Sequence, residues 1–170
     1  PETITLNAQG RYGYAFHASA NKLGSAGTIY VETKSDGEKG GTIIVSNWKD
    51  HANADFTSAT VIPTTPIVAA QDGDAVADFK KAKLVICNNA IAEVSAEDLR
   101  LNAVTVDAGS SLELAGRTLT VAKATLSSAK LKPGTYKASD AGLVGIVTDS
   151  SSGATGSLVV TGGGIAIIVR

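Results

Sequence analysis

Displaced by 20 positions, the middle of this chain lays its aliphatic residues on one another. Leu84 falls on Val104, Ile86 on Val106 and then Leu126, Ala92 on Leu112, Val94 on Leu114, Leu99 on Leu119, and Leu101 on Val121. The coincident residues come in pairs split by one residue, with turn-forming stretches such as 107–111 (DAGSS) and 115–117 (AGR) between them. Alternation of this kind marks short strands that turn one face to a core. Hairpins give no reason for such a spacing to recur, whereas a chain that winds, each turn stacking on the last, does. Residues 110–126 (SSLELAGRTLTVAKATL) therefore read as two sides of one turn. The expected fold is all-β, a single-stranded parallel β-solenoid with three short strands per turn. A lone turn cannot bury its apolar pairs, but turns stacked about 4.8 Å apart build continuous Leu/Val/Ile ladders.

The period divides a single domain, 1–170, into three zones. Residues 81–130 carry the regular 20-residue turns, 1–80 are irregular N-terminal turns, and 131–170 are a modified or capping end. In the first zone, Gly-Thr-Ile-x-Val occurs at 27–31 and again at 41–45, with the polar loop KSDGEKGG between. An Asp-Gly pair favours a tight turn, so a hairpin and two neighbouring solenoid strands both fit. In the last zone the period breaks, because Leu112 and Leu114 would map onto Lys132 and Gly134 in LKPGTY. Strands at 143–147 and 156–160 flank the loop TDSSSGATG, and such an atypical end protects the last edge of a stack. Helix signals are weak. Residues 74–83 (DAVADFKKAK) fit one or two turns, and SAEDLR, 95–100, resembles a capping box but is claimed by the period for a corner and a strand.

Composition narrows the setting. The 170 residues carry a formal net charge of −1, which provides no field to steer nucleic acid or an anionic membrane. No apolar run approaches the ~20 residues of a membrane-spanning helix, and neither nucleic acid nor membrane insertion is expected. Methionine is absent and Cys87 is the single cysteine, so no intrachain disulfide or Cys-x-x-Cys pair can form. The expectation is an extracellular or cell-surface protein, with Pro1 left by leader or precursor processing.

The stretches LELAGRTLTVAKATLSSAKLKPGTY and GSLVVTGGG resemble the C-terminal parts of large secreted bacterial β-helix proteins of the autotransporter-passenger and pectate-lyase-like kind. The likeness covers roughly residues 80–170, and the Gly-Thr-Ile strands at 27–47 more loosely. It implies a right-handed parallel β-helix at a bacterial surface or in a matrix. It implies little about activity, since the same winding carries adhesins, fibres and polysaccharide-active enzymes.

Candidate chemistry is sparse. His17 and His51 lie in polar contexts without partners at metal-ligand spacing. Asp72, Asp74 and Asp78 in QDGDAVAD form the one candidate calcium cluster, although no Glu closes a twelve-residue loop. Glu93 and Glu113 are one period apart on outward positions; stacked carboxylates suit acid/base work on a polysaccharide but read more simply as a solvated ladder. Arg100 and Arg117 lie elsewhere on the same turns. Asp36 with Glu38, and Asp50 with Asp55, are weaker acidic pairs. Residues 161–164 (TGGG) lack a phosphate-loop fingerprint. Tyr12, Tyr14 and Phe16 alternate as one buried strand face. Val85 and Cys87 make an apolar outward pair that the N-terminal segment or another subunit would cover.

The expected function is a non-catalytic structural or adhesive module that self-assembles into a surface fibre or matrix, without a cofactor unless calcium binds. Terminal strands bearing Ile4 and Leu6, and Ile165, Ile167 and Val169, are the expected assembly surfaces of a homo-oligomer or homopolymer. The alternative is a polysaccharide-binding or polysaccharide-cleaving domain with a surface glycan as partner.

Overall fold

The computed structural model describes residues 26–37, 39–47, 60–61, 79–96, 98–153 and 155–162. They form an all-β structure with one short 3₁₀ turn, Phe79–Lys81. The strands are β1 (Gly27–Val31), β2 (Thr42–Ser46), β3 (Thr60–Val61), β4 (Lys83–Cys87), β5 (Ile91–Glu93) and β6 (Leu99–Val106). They continue as β7 (Ser111–Glu113), β8 (Thr118–Leu126), β9 (Ala129–Lys130), β10 (Gly134–Tyr136), β11 (Val147–Thr148) and β12 (Ser157–Val160). One sheet runs β1-β2-β4-β6-β8-β12-β10, with β9 paired to β8, and a second runs β11-β7-β5-β3. From β4 to β8 the chain alternates between the two.

The 20-residue displacement is the pairing register. Leu84 pairs with Val104 and Ile86 with Val106; Ala92 pairs with Leu112; Leu99, Leu101 and Val106 pair with Leu119, Val121 and Leu126. All three pairings are parallel, so like side chains stand over one another in buried columns. One column holds Ile43, Leu84, Val104 and Ala124; a second holds Val45, Ile86, Val106 and Leu126. The last part of the chain extends them: Leu158 lies beside Leu119 and Val160 beside Val121, while Val147 lies beside Leu112. Glycine at these inward positions would leave a void that the neighbouring strands cannot close, and a polar residue would bury groups without partners.

Three local outcomes settle or modify the expectation. First, β1 and β2 pair antiparallel, Gly27 opposite Ser46 and Val31 opposite Thr42. Of the two arrangements open for residues 27–47, the hairpin is therefore the one formed. Its turn is tied by Asp36, whose Oδ2 accepts from the Thr33 amide at 2.9 Å and hydroxyl at 2.6 Å. Second, two of the three expected sides per turn fuse. β6 and β8 run through both apolar pairs without a break, because consecutive residues face outward at Asn102–Ala103 and Ala122–Lys123. The paired register skips this step, passing from Leu101–Val121 to Ala103–Lys123, and the strand continues beyond it. Third, antiparallel pairing returns at the far end, where β9 pairs with β8 and β10 with β12. The sheet is therefore mixed. Residues 127–156 leave β8, and the chain rejoins it in parallel register at β12, Thr118 opposite Ser157.

Of 95–100, residues 98–100 form a turn and the start of a strand, as the period requires. Asp98 adopts a left-handed φ of 54°, and β6 begins at Leu99. Of 74–83, the 3₁₀ turn falls within the described residues and 74–78 do not. No helix among the described residues is long and apolar enough to cross a membrane.

The return of the chain is tightly packed at Gly156. A Cβ there would stand 2.6 Å from the Leu114 Cβ and 2.9 Å from the Arg117 carbonyl oxygen, whereas one at Gly153 would meet nothing within 4 Å. Gly156→Ala is expected to destabilise by about 1–3 kcal/mol through backbone displacement. Gly153→Ala should be close to neutral. Urea unfolding midpoints of the two variants check this.

Candidate functional site

The hairpin turn, the 3₁₀ turn and two strands meet in an open polar recess of about 410 Å³, lined by Ser35, Asp36, Gly40, Lys80, Lys81, Lys83 and Asn102. Local sequence explains how they converge. Backbone hydrogen bonds from Lys83 N to the Gly41 carbonyl and from Asn102 N to the Ala82 carbonyl, 2.9 and 2.8 Å, hold the three elements together. Ala82 is buried and anchors the segment. Lys81 and Lys83 on either side of it are exposed.

Among the described residues, three lysines and one carboxylate line the recess. Lys83 Nζ lies 3.8 Å from Asp36 Oδ1, an exposed pair that contributes little to stability. Hydrogen bonds from the Thr33 hydroxyl and backbone, aided by Lys83, hold the Asp36 carboxyl below its ordinary pKa. The described lining residues carry more positive than negative charge and suit an anionic, hydrated ligand better than an apolar one.

A second polar cluster ties the chain's return to the turn after β7. Glu113 Oε1 accepts from Ser150 N at 2.7 Å, Ala115 N at 2.9 Å and Ser150 Oγ at 3.1 Å, and Oε2 accepts from Thr148 Oγ1 at 2.7 Å. Asp149 answers from the other side. It accepts from Gly116 N at 2.8 Å, Gly156 N at 2.6 Å and Ser151 Oγ at 2.9 Å. Burial by itself would raise both carboxyl pKa values; the hydrogen bonds outweigh it, and both lie below their ordinary values. The two residues form a reciprocal clasp.

That clasp corrects the expectation for Glu113. Glu93 and Glu113 do stand opposite one another in the parallel register, but Glu113 is buried, 8 % exposed, rather than part of a solvated ladder. The segment 148–150 covers it, and both its oxygens are engaged by donors that fix the loop. Arg117 turns inward to carbonyls, its Nη1 donating to Val94 O at 3.2 Å, while Arg100 is exposed.

Val85 and Cys87 are half-buried on the outward side. The Cys87 thiol lies 3.9 Å from the Val45 carbonyl. Ile44 stands beside Val85 and Ser46 beside Cys87, so the hairpin strand β2 already borders this pair. The assembly residues Ile4, Leu6, Ile165, Ile167 and Val169 lie outside the described residues. So do the acidic cluster Asp72, Asp74 and Asp78, both histidines, and the aromatic set Tyr12, Tyr14 and Phe16. Among the described residues no three His, Cys, Asp or Glu side chains converge as a metal site.

Sequence reasoning missed the lysine recess and the role of Asp149. For the recess the signal was present as Lys80-Lys81-Ala82-Lys83, a dense local charge read only as part of a short helix. Comparison with protein-family models, curated proteins and solved structures gave no match to this chain.

Proposed function

We propose that this chain is a non-catalytic structural or adhesive module of the β-solenoid kind, working outside the cell and assembling with copies of itself. Support comes above all from one observation: aliphatic columns in parallel register every 20 residues, alternating between two sheets. An architecture whose core is a stack of like turns is extended in one direction and ends in open strand edges. On this reading the winding is right-handed and β9–β12 make its modified end. The short, exposed β10, preceded by Pro133, is the kind of edge that resists further pairing. Association then falls to the terminal segments.

Electron microscopy of the purified chain tests the reading. Filaments are expected, and deleting residues 1–6 should lower the assembled mass in light scattering while leaving the fold intact. Uniformly monomeric particles, insensitive to concentration, would refute self-assembly.

A second reading is favoured by the lysine recess, whose open form and excess positive charge suit a hydrated anion. In it the module holds a surface glycan without cleaving it.

A further inference from the structure

The lysine recess does not end at the residues that enclose it. Lys83 on β4 stands opposite Ala103 on β6, and Ala103 stands opposite Lys123 on β8. Parallel register keeps all three on one face of the sheet, and Lys83 and Lys123 are both exposed. Between the two lysines lies only the methyl group of Ala103, with Asn102 beside it on the recess wall. The result is a track of outward side chains, cationic at each end and small and apolar in the middle.

Its dimensions are set by the sheet. Two strand spacings separate Lys83 from Lys123, about 10 Å, which is the length of one disaccharide unit. The long axis of the track runs across the strands, along the direction in which successive turns stack. A ligand lying in it would meet a cationic patch at each end, one disaccharide apart. Its sugar ring would rest over Ala103 and its hydroxyls would reach the Asn102 carboxamide. Asp36, the one carboxylate among the described residues that line the recess, disfavours the crowding of negative charge that a more densely anionic polymer would bring.

We infer that the recess and the Lys83–Ala103–Lys123 track bind a linear acidic polysaccharide carrying one carboxylate or sulfate per disaccharide. This rests on the second, glycan-holding reading above and is independent of self-assembly. Lys81 and Lys83 hold one anionic group at the recess and Lys123 holds the next. Neutral glycans lack the charges that these side chains match. Binding weakens as salt is raised, since the contacts are exposed.

The test uses the full chain with hyaluronan octasaccharide, which carries one carboxylate per disaccharide, with a κ-carrageenan oligosaccharide of equal length, which carries one sulfate per disaccharide, as the sulfated arm and dextran as the neutral control. Binding to hyaluronan or to κ-carrageenan, and none to dextran, is expected by calorimetry at low salt. Lys123→Gln should weaken binding about threefold, and Lys83→Gln with Lys123→Gln about tenfold, as exposed charge contacts allow. Lys137→Gln, which removes an exposed charge beyond β10, should change affinity less than twofold. A hyaluronan disaccharide, too short to reach both lysines, should bind without sensitivity to Lys123→Gln. Failure of both acidic glycans to bind, or equal losses in Lys123→Gln and Lys137→Gln, overturns the proposal. Thermal melts establish that each variant is folded, and filament formation in electron microscopy reports separately on self-assembly.

Discussion

Leu119→Ala is expected to destabilise the fold by about 2–5 kcal/mol. Leu119 is fully buried on β8, with Leu99 opposite it on one side and Leu158 on the other. Shortening it to alanine removes contacts to both neighbouring strands, and neither can move into the gap without leaving its own hydrogen-bonded register. The loss should appear as a lower urea midpoint with an unchanged slope. Thr120, the next residue, is half-buried on the opposite face, and Thr120→Ala should stay within about 0.5 kcal/mol. Equal effects from the two substitutions would contradict the inward and outward assignment of β8.

Glu113→Gln carries the second large effect, about 2–3 kcal/mol near neutral pH, because charge-assisted hydrogen bonds are lost and an amide is set against backbone donors. Glu113 receives hydrogen bonds from residues 115, 148 and 150. A glutamine offers one acceptor oxygen where the carboxylate offers two. The variant also predicts a pH dependence. The Glu113 carboxyl titrates below its ordinary value near 4.5 in the folded chain. Its contribution is therefore complete above about pH 4.5 and is lost as the pH falls through the folded-state value. The stability gap between the wild-type chain and Glu113→Gln should shrink between pH 7 and pH 3. A gap that stays constant would show that the carboxylate's charge does not hold the loop. Proteolysis within 149–153 should be faster in the variant than in the parent.

Much of the strand framework is legible in the sequence, because it depends on a repeated local rule. Leu84, Ile86, Leu99 and Leu101 each carry the same burial demand as the residue 20 places on, and parallel pairing satisfies that demand for every turn at once. The hairpin of β1 and β2 was not decided, since Gly-Thr-Ile-x-Val suits either strand direction; what decides it is the Thr33–Asp36 turn and the close approach of Gly41 to Val31. Glu113 was misjudged for a different reason. Alternation places it outward, as observed, but outward became buried when a segment 35 residues later folded over it, and nothing periodic connects the two. The lysine recess depends on three separate elements meeting. A one-dimensional pattern carries the charge of Lys80, Lys81 and Lys83 but not the convergence of Asp36 and Asn102 upon them.

The excursion between β8 and β12 has a consequence for how such a molecule can change. Strand β12 lines up with β8 whatever path the intervening residues take, provided that the chain returns at the same height. Lengthening a surface detour costs free energy only slowly, with the logarithm of its length. New surface features can therefore be added at this point, one loop at a time, while the apolar columns beneath remain as they are.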